Sequence, residues 1–163
     1  MELAIISDTH LPRGSRRLPD ACVARLRSAD LILHAGDFTT VPVLRELESL
    51  GPPVAAVLGN VDEAALADVL PVQRIVPAGG ARIAMVHDAG PAGGRLGRLW
   101  GRFRDADAVV FGHSHIPLHE RAPEGFQIFN PGSPTDRRRQ PRHTMGCARV
   151  GAANELSFEL IEL

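Results

Sequence analysis

Short, unbroken apolar runs set the rhythm of the first two thirds of the chain. Residues 3–6, 31–33, 54–58, 83–86 and 109–111 have the length and continuity of strands covered on both faces. Helical spacing occupies two of the gaps. Over 18–26, Pro19 stands near a helix start and Val23 and Leu26 share a face. After Val41-Pro42, the residues Val43, Leu44, Leu47 and Leu50 form a second helical stripe, which Gly51-Pro52-Pro53 stops. Beyond Gly112 the pattern changes to shorter extended segments, at 118–121, 126–129, 147–150 and 156–160, separated by Gly, Pro and Asn turns. These predict antiparallel strands closing a second sheet. The expected fold is therefore an α/β sandwich of two facing sheets with outer helices.

Polar residues interrupt the pattern where the apolar runs stop. Ser7-Asp8-Thr9-His10, Gly36-Asp37, Gly59-Asn60, His87 and Gly112-His113-Ser114-His115 each follow the carboxyl end of a predicted strand. In α/β sheets ligands bind at that edge, so loops far apart in sequence converge there. Taken singly, each cluster has a plain structural reading: Asp8 caps a turn, Asn60 holds a left-handed residue, His87 bonds to backbone. Together they supply carboxylate, imidazole and amide donors, the ligand set of a site with two cations about 3.5–4 Å apart. Strand alternation would place Asp8 and His10 on one metal, since residues i and i+2 point the same way. His113 and His115 would reach one site or divide between two.

Composition narrows the chemistry. With 163 residues, 44% of them hydrophobic, the chain predicts one domain, residues 1–163. A formal net charge of −1 gives no general electrostatic reason to expect binding to nucleic acid or anionic membrane. All 18 basic residues are Arg, and the absence of Lys excludes Schiff-base chemistry. Cys22 and Cys147 lie far apart with no CxxC partner and read as buried free thiols. No basic leader or membrane-length apolar span is seen, so a soluble cytoplasmic protein is expected.

The D-x-H, G-D, G-N-x-D, H and G-H-x-H blocks resemble those of the calcineurin-like metallophosphoesterases. Asn130-Pro131-Gly132-Ser133 resembles the N-P-G-S turn of that superfamily's small bacterial and archaeal phosphodiesterase branch. The resemblance implies a four-layer α/β/β/α sandwich. It also implies one metal held by Asp8, His10, Asp37 and His115, and a second held by Asp37, Asn60, His87 and His113, with Asp37 as the bridge. Two divalent ions are expected, manganese first, with iron, zinc, nickel or cobalt as alternatives. The implied reaction is hydrolysis of a small phosphodiester by in-line attack of a metal-bound hydroxide, with Asn60 orienting phosphate and His113 joining the electrostatic cradle.

Two departures stand out. Many superfamily members carry His after the Asn, assisting the leaving group, where this chain has Val61. The usual H-G block reads His87-Asp88-Ala89-Gly90, so no Gly directly follows the expected ligand His87. His34 reads as a hydrogen-bonded strand-end residue rather than a catalytic one, and Asp62 as an orienting residue for the Asn60 loop. His119, His143 and Trp100 read as surface or packing residues. The 137–142 stretch reads as a solvated loop, with Arg138 as the candidate substrate contact. Alternatives are a phosphomonoesterase, a nuclease, or a metal-poor interaction scaffold like the retromer subunit of the same fold. Small size and the lack of an extended basic surface argue against nucleic acid; a homo-oligomer is compatible with the sequence.

Overall fold

Leu3 and Ile5 of β1 (Glu2–Ile6) enter one apolar layer while Ala4 and Ile6 enter another, as a period of two requires. The same division recurs in β2 (Leu31–His34), β5 (Ala81–Val86) and β6 (Ala108–Val110). These strands are covered on both faces, which is why their apolar runs are continuous. The computed structural model describes residues 1–152 and 155–163.

One sheet has the order β10-β9-β1-β2-β3, adding β3 (Val54–Ala56), β9 (Thr144–Val150) and β10 (Leu156–Glu162). The other has the order β4-β5-β6-β8-β7, adding β4 (Gln73–Ala78), β7 (Leu118–Arg121) and β8 (Gln127–Asn130). Between the sheets lies a core that includes Leu3, Ile5, Leu33, Ile83, Met85, Val110 and Phe129. Helices α1 (Asp20–Ser28), α2 (Val41–Glu48) and α3 (Ala64–Ala67) cover the outer face of the first sheet through Cys22, Leu26, Leu44, Leu47 and Leu66. Helix α4 (Arg95–Arg102) covers the second through Leu99, with Phe103 just beyond its end. The result is the expected α/β/β/α arrangement.

Several details differ from the sequence-based expectation. The second sheet does not begin after Gly112: β4, β5 and β6 already belong to it, whereas β9 and β10 return to the first sheet beside β1. Strand β4 shows no apolar run because it is an edge strand with only Val76 and Ala78 buried, and the edge tolerates Pro77. In α1 the inward pair is Cys22 and Leu26, spaced i and i+4, while Val23 is only half-buried. Helix α4 carries Gly97 and Gly101, whose low helix propensity hides it from pattern reading.

Parallel pairing decides where the polar loops emerge. β1, β2 and β3 run together in one sheet and β5, β6 and β8 in the other, so six carboxyl ends meet along one rim of the sandwich. No helix among the described residues is long and apolar enough to cross a membrane.

Candidate metal centre

Backbone conformation marks the rim. Among the described residues, the non-glycine positions with positive φ are Asp8, His10, Asp37, Thr39, His113, His115 and Arg138. Such a conformation costs roughly 1–3 kcal/mol at each, and Asp and His tolerate it better than most. It persists because each loop is tied down. Asp8 N–H donates to Gly36 O and His10 N–H to Asp37 O, both at 3.0 Å, while His113 N–H donates to the Asp8 carboxylate at 3.1 Å. A Cβ at Gly112 would strike Ser7 Oγ and Asp8 Oδ2, and one at Gly59 would strike the Asp37 backbone and carboxylate. Gly112 thus lets a loop of the second sheet close on one of the first, and Gly59 lets two loops of the first sheet meet.

The expected donors come together in two groups, Asp8 with His10 and His115, and Asp8 with Asp37 and His87. Asp37 Oδ2 lies 3.5 Å from His10 Nε2 and 3.3 Å from His87 Nε2, so one oxygen faces a nitrogen of each group. His115 Nε2 is 3.5 Å from Asp8 Oδ1 and 3.2 Å from His10 Nε2. Asn60 Oδ1 is 3.0 Å from His87 Nε2 and 2.8 Å from His113 Nδ1. Asp8, His10, Asp37, His87 and His115 are buried, whereas Asn60 and His113 are exposed at the mouth. His113 and His115 thus divide between the two groups.

Strand alternation is not what joins Asp8 to His10. β1 ends at Ile6, and both residues sit in a loop with φ of 56° and 45°. The pairing holds because consecutive kinks, rather than an extended segment, turn both side chains inward.

Protonation follows from the partners. His87 Nδ1–H donates to Ala35 O at 2.7 Å, and His115 Nδ1–H donates to Asp136 O, so the Nε2 atoms of both rings face the centre. Burial opposes a charge on His87, but its hydrogen bond to Asp37, the carboxylates of Asp8 and Asp37 and the Ala35 carbonyl raise its pKa overall. Burial likewise works against ionising Asp37; the hydrogen bond and charge of His87, the Val61 N–H and His10 prevail and hold its carboxyl at about 2. At Asp8 and His10 burial wins, raising the carboxyl and lowering the imidazole. The carboxylates of Asp8 and Asp37 thus favour positive charge at His87. With the Nδ1–H of His115 turned to Asp136, its Nε2 is the ring atom left to face His10 Nε2, 3.2 Å away. A divalent cation satisfies these lone pairs and carboxylates together, so the donor set fits metal.

Several residues outside the donor set position the donors, and of these only Thr135 carried no sequence signal. Asp62 accepts backbone N–H bonds from Asp37, Thr39 and Gly59 at 3.2, 2.9 and 2.7 Å, reaching further than the Asn60 loop alone. Ser133 Oγ donates to Asp8 O and Thr135 Oγ1 to Thr9 O, attaching the segment after β8 to the first loop. Asn130 Nδ2 donates to Gly112 O. The N-P-G-S turn, legible as a motif, thus acts by gripping the ligand loops.

His34 is fully buried, takes an N–H from Gly36 at Nδ1, and contacts Thr9 Oγ1 with Nε2 at 3.2 Å. It is the hydrogen-bonded strand-end residue expected. Val61 exposes its side chain at the mouth while its N–H donates to Asp37 Oδ1 at 3.0 Å. Arg138 sits at the rim, 3.5 Å from His115 Nε2 and 3.4 Å from Asp136 Oδ2. Trp100 stacks on Phe126, and His119 packs against Phe129 and Phe158.

Comparison with known proteins shows the family and the fold. A probable metallophosphoesterase of Methanothermobacter thermautotrophicus is 37% identical over 137 residues, covering 83% of this chain and 78% of that protein. Its counterpart in Methanocaldococcus jannaschii is 36% identical over 138 residues, covering 83% and 69%. Among solved structures, zinc-complexed Vps29 from Entamoeba histolytica matches with a TM-score of 0.77 at 21% identity, covering 99% of each chain. An archaeal phosphodiesterase matches at 0.72 and 20% identity, covering 99% of this chain and 100% of its own. These two likenesses concern the fold. Residues 1–153 match the family model of the calcineurin-like phosphoesterase superfamily domain, and the chain belongs to that superfamily.

Proposed function

We propose that the protein is a divalent-metal-dependent phosphodiesterase acting on small phosphodiesters, with residues 1–163 as one catalytic domain. The observation that carries this reading is Asp37 Oδ2, set 3.5 Å from His10 Nε2 and 3.3 Å from His87 Nε2, where one carboxylate oxygen can serve two ions. Asp8, His10, Asp37 and His115 would hold one ion and Asp37, Asn60, His87 and His113 the other. Asp8 stands close enough to both groups to contribute charge to either. Bound there, manganese or another divalent metal would supply Lewis acidity toward phosphoryl oxygens and water.

The chain's own residues do the rest. Asn60 turns its carbonyl oxygen toward His87 and His113, and its Nδ2 donors have no protein partner among the described residues, so they are free for a phosphate oxygen. His113, exposed beside Asn60, adds a second polar group facing the developing charge. Arg138 supplies a guanidinium from the rim, held by the Asp136 carboxylate. Val61 offers no proton at the position beside Asn60, which favours esters with good leaving groups.

Replacing Asp37 with Asn tests the reading. Hydrolysis of bis(p-nitrophenyl) phosphate and of p-nitrophenyl phosphate is measured with manganese for both proteins. The wild type should favour the diester and the variant should lose at least a hundredfold on it; undiminished turnover removes the bridging role. The likeness to Vps29 supports a second reading, an interaction scaffold. Protein that binds no manganese at saturation would favour that one.

A further inference from the structure

Two arginine-rich segments that look unrelated in sequence meet beside the metal centre. Residues 11–19 hold Arg13, Arg16 and Arg17 with no acid, and residues 133–143 hold Arg137, Arg138, Arg139 and Arg142 with the single acid Asp136. In a chain of net charge −1 this leaves the remaining surface correspondingly acidic. The near-neutral total therefore conceals a concentrated basic lobe. An open hollow of about 470 Å³ lies within the lobe, lined by Arg13, Arg16, Arg17, Thr135 and His143.

Asp136 joins hollow and metal centre. Its carboxylate lies 3.2 Å from Arg16 Nη1 and 3.4 Å from Arg138 Nε, while its carbonyl accepts from the ring of His115. One carboxylate shared by two guanidiniums leaves a surplus of positive charge at the junction. Arg142 is paired with Glu162, but Arg13 and Arg17 are exposed and have no carboxylate partner among the described residues. Arg16 Nη1, buried and 3.2 Å from the Asp136 carboxylate, is not aligned for a hydrogen bond with it, and the buried His143 Nδ1 has no hydrogen-bond partner among the described residues. Like charges gathered this way repel one another, and an anion seated among them relieves both the repulsion and the missing hydrogen bonds.

We propose that this hollow is a second-phosphate subsite, receiving a phosphate carried by the same substrate whose ester bond is cleaved at the metal centre. The proposal rests on the reading of that centre as a phosphoester site and narrows the substrate to a compact phosphodiester bearing a further phosphate. Arg13, Arg17 and His143 bind this group directly, and Arg16 supports it from beside Asp136.

Binding to the manganese-loaded enzyme is measured by calorimetry for thymidine 5′-phosphate and thymidine 3′,5′-bisphosphate, in the wild type and in the double variant Arg13→Gln/Arg17→Gln. Both positions are exposed, and a thermal melt checks that the variant folds. The bisphosphate should bind at least tenfold tighter than the monophosphate in the wild type, and the variant should lose that preference while keeping its affinity for the monophosphate. Arg17→Lys, which retains charge, should keep most of it. Equal binding of the two ligands, or a preference that survives the double substitution, overturns the subsite. A ten-residue thymidine strand binding a further tenfold tighter than the bisphosphate overturns it in favour of a nucleic-acid track. Turnover of bis(p-nitrophenyl) phosphate on the same preparations reports on the phosphodiesterase reading separately. Its absence alongside an intact bisphosphate preference removes the esterase and leaves the anion site standing.

Discussion

Asp62 accepts the backbone N–H of Asp37 at 3.2 Å, and through this bond a residue outside the donor set holds the candidate bridging carboxylate in its left-handed turn. The same side chain takes the N–H groups of Thr39 and Gly59. Replacing Asp62 with Ala leaves three donors without an acceptor, and hydrogen bonds to a charged group are worth about 1.5–3 kcal/mol each. Urea unfolding should show a loss of about 2–4 kcal/mol, allowing for water reaching the exposed donors. Manganese affinity should fall about 10–100-fold, as for other residues that orient ligands. Unchanged metal affinity in a folded variant would show that Asp37 is positioned by other means.

His34 gives a pH signature. Complete burial, with smaller contributions from His87 and His10, lowers its pKa to about 3 from 6.5. Below pH 6.5 the unfolded chain takes up a proton that the folded chain refuses, so stability from this residue is present above 6.5 and is lost as pH falls toward 3. Other groups titrate in the same range, so the residue is isolated by difference. In metal-free protein, the stability gap between wild type and His34→Gln should be widest above pH 6.5 and shrink steadily toward pH 4. A gap that does not change with pH contradicts a buried neutral His34.

Gly112 is where the loop after β6 passes Ser7 and Asp8. Ala at this position forces the two sheets' loops apart, and overpacking of this kind costs about 1–3 kcal/mol. Thermal unfolding should register that loss. Because the clash falls on Asp8, manganese binding should weaken in parallel, whereas Gly14→Ala, with open space around its α-carbon, should leave binding unchanged.

Val61 places a hydrocarbon side chain at the mouth of the centre. Substituting His puts a proton donor there, and positioned acid catalysis contributes about 10²–10⁴-fold where the leaving oxygen needs a proton. Val61→His should raise kcat for an alkyl phosphodiester by at least about tenfold, with little effect on bis(p-nitrophenyl) phosphate, whose leaving group departs unaided. Equal changes for both esters would mean the new ring does not reach the leaving oxygen.

The sequence by itself determined every described strand but β4, and the order of the donors. Continuous apolar runs such as 3–6 and 83–86 can be buried on both faces only in a sheet covered twice, and Asp8, Asp37, Asn60, His87 and His113 each follow one of those runs. Strand β4 and helix α4 escaped notice because Pro77, Gly97 and Gly101 break the local pattern and the burial that outweighs them comes from distant residues. Tertiary structure alone decided which sheet each late strand joins, since β9 pairs with β1 from more than 140 residues away in sequence. It also decided the left-handed turns at Asp8, His10, Asp37, His113 and His115, because such conformations are unfavourable locally and survive only when hydrogen bonds from distant loops hold them. The meeting of Arg16 with Asp136, which brings the two arginine-rich segments together, has the same origin. Charge totals are additive along a chain, but electrostatic fields depend on where folding brings the charges together.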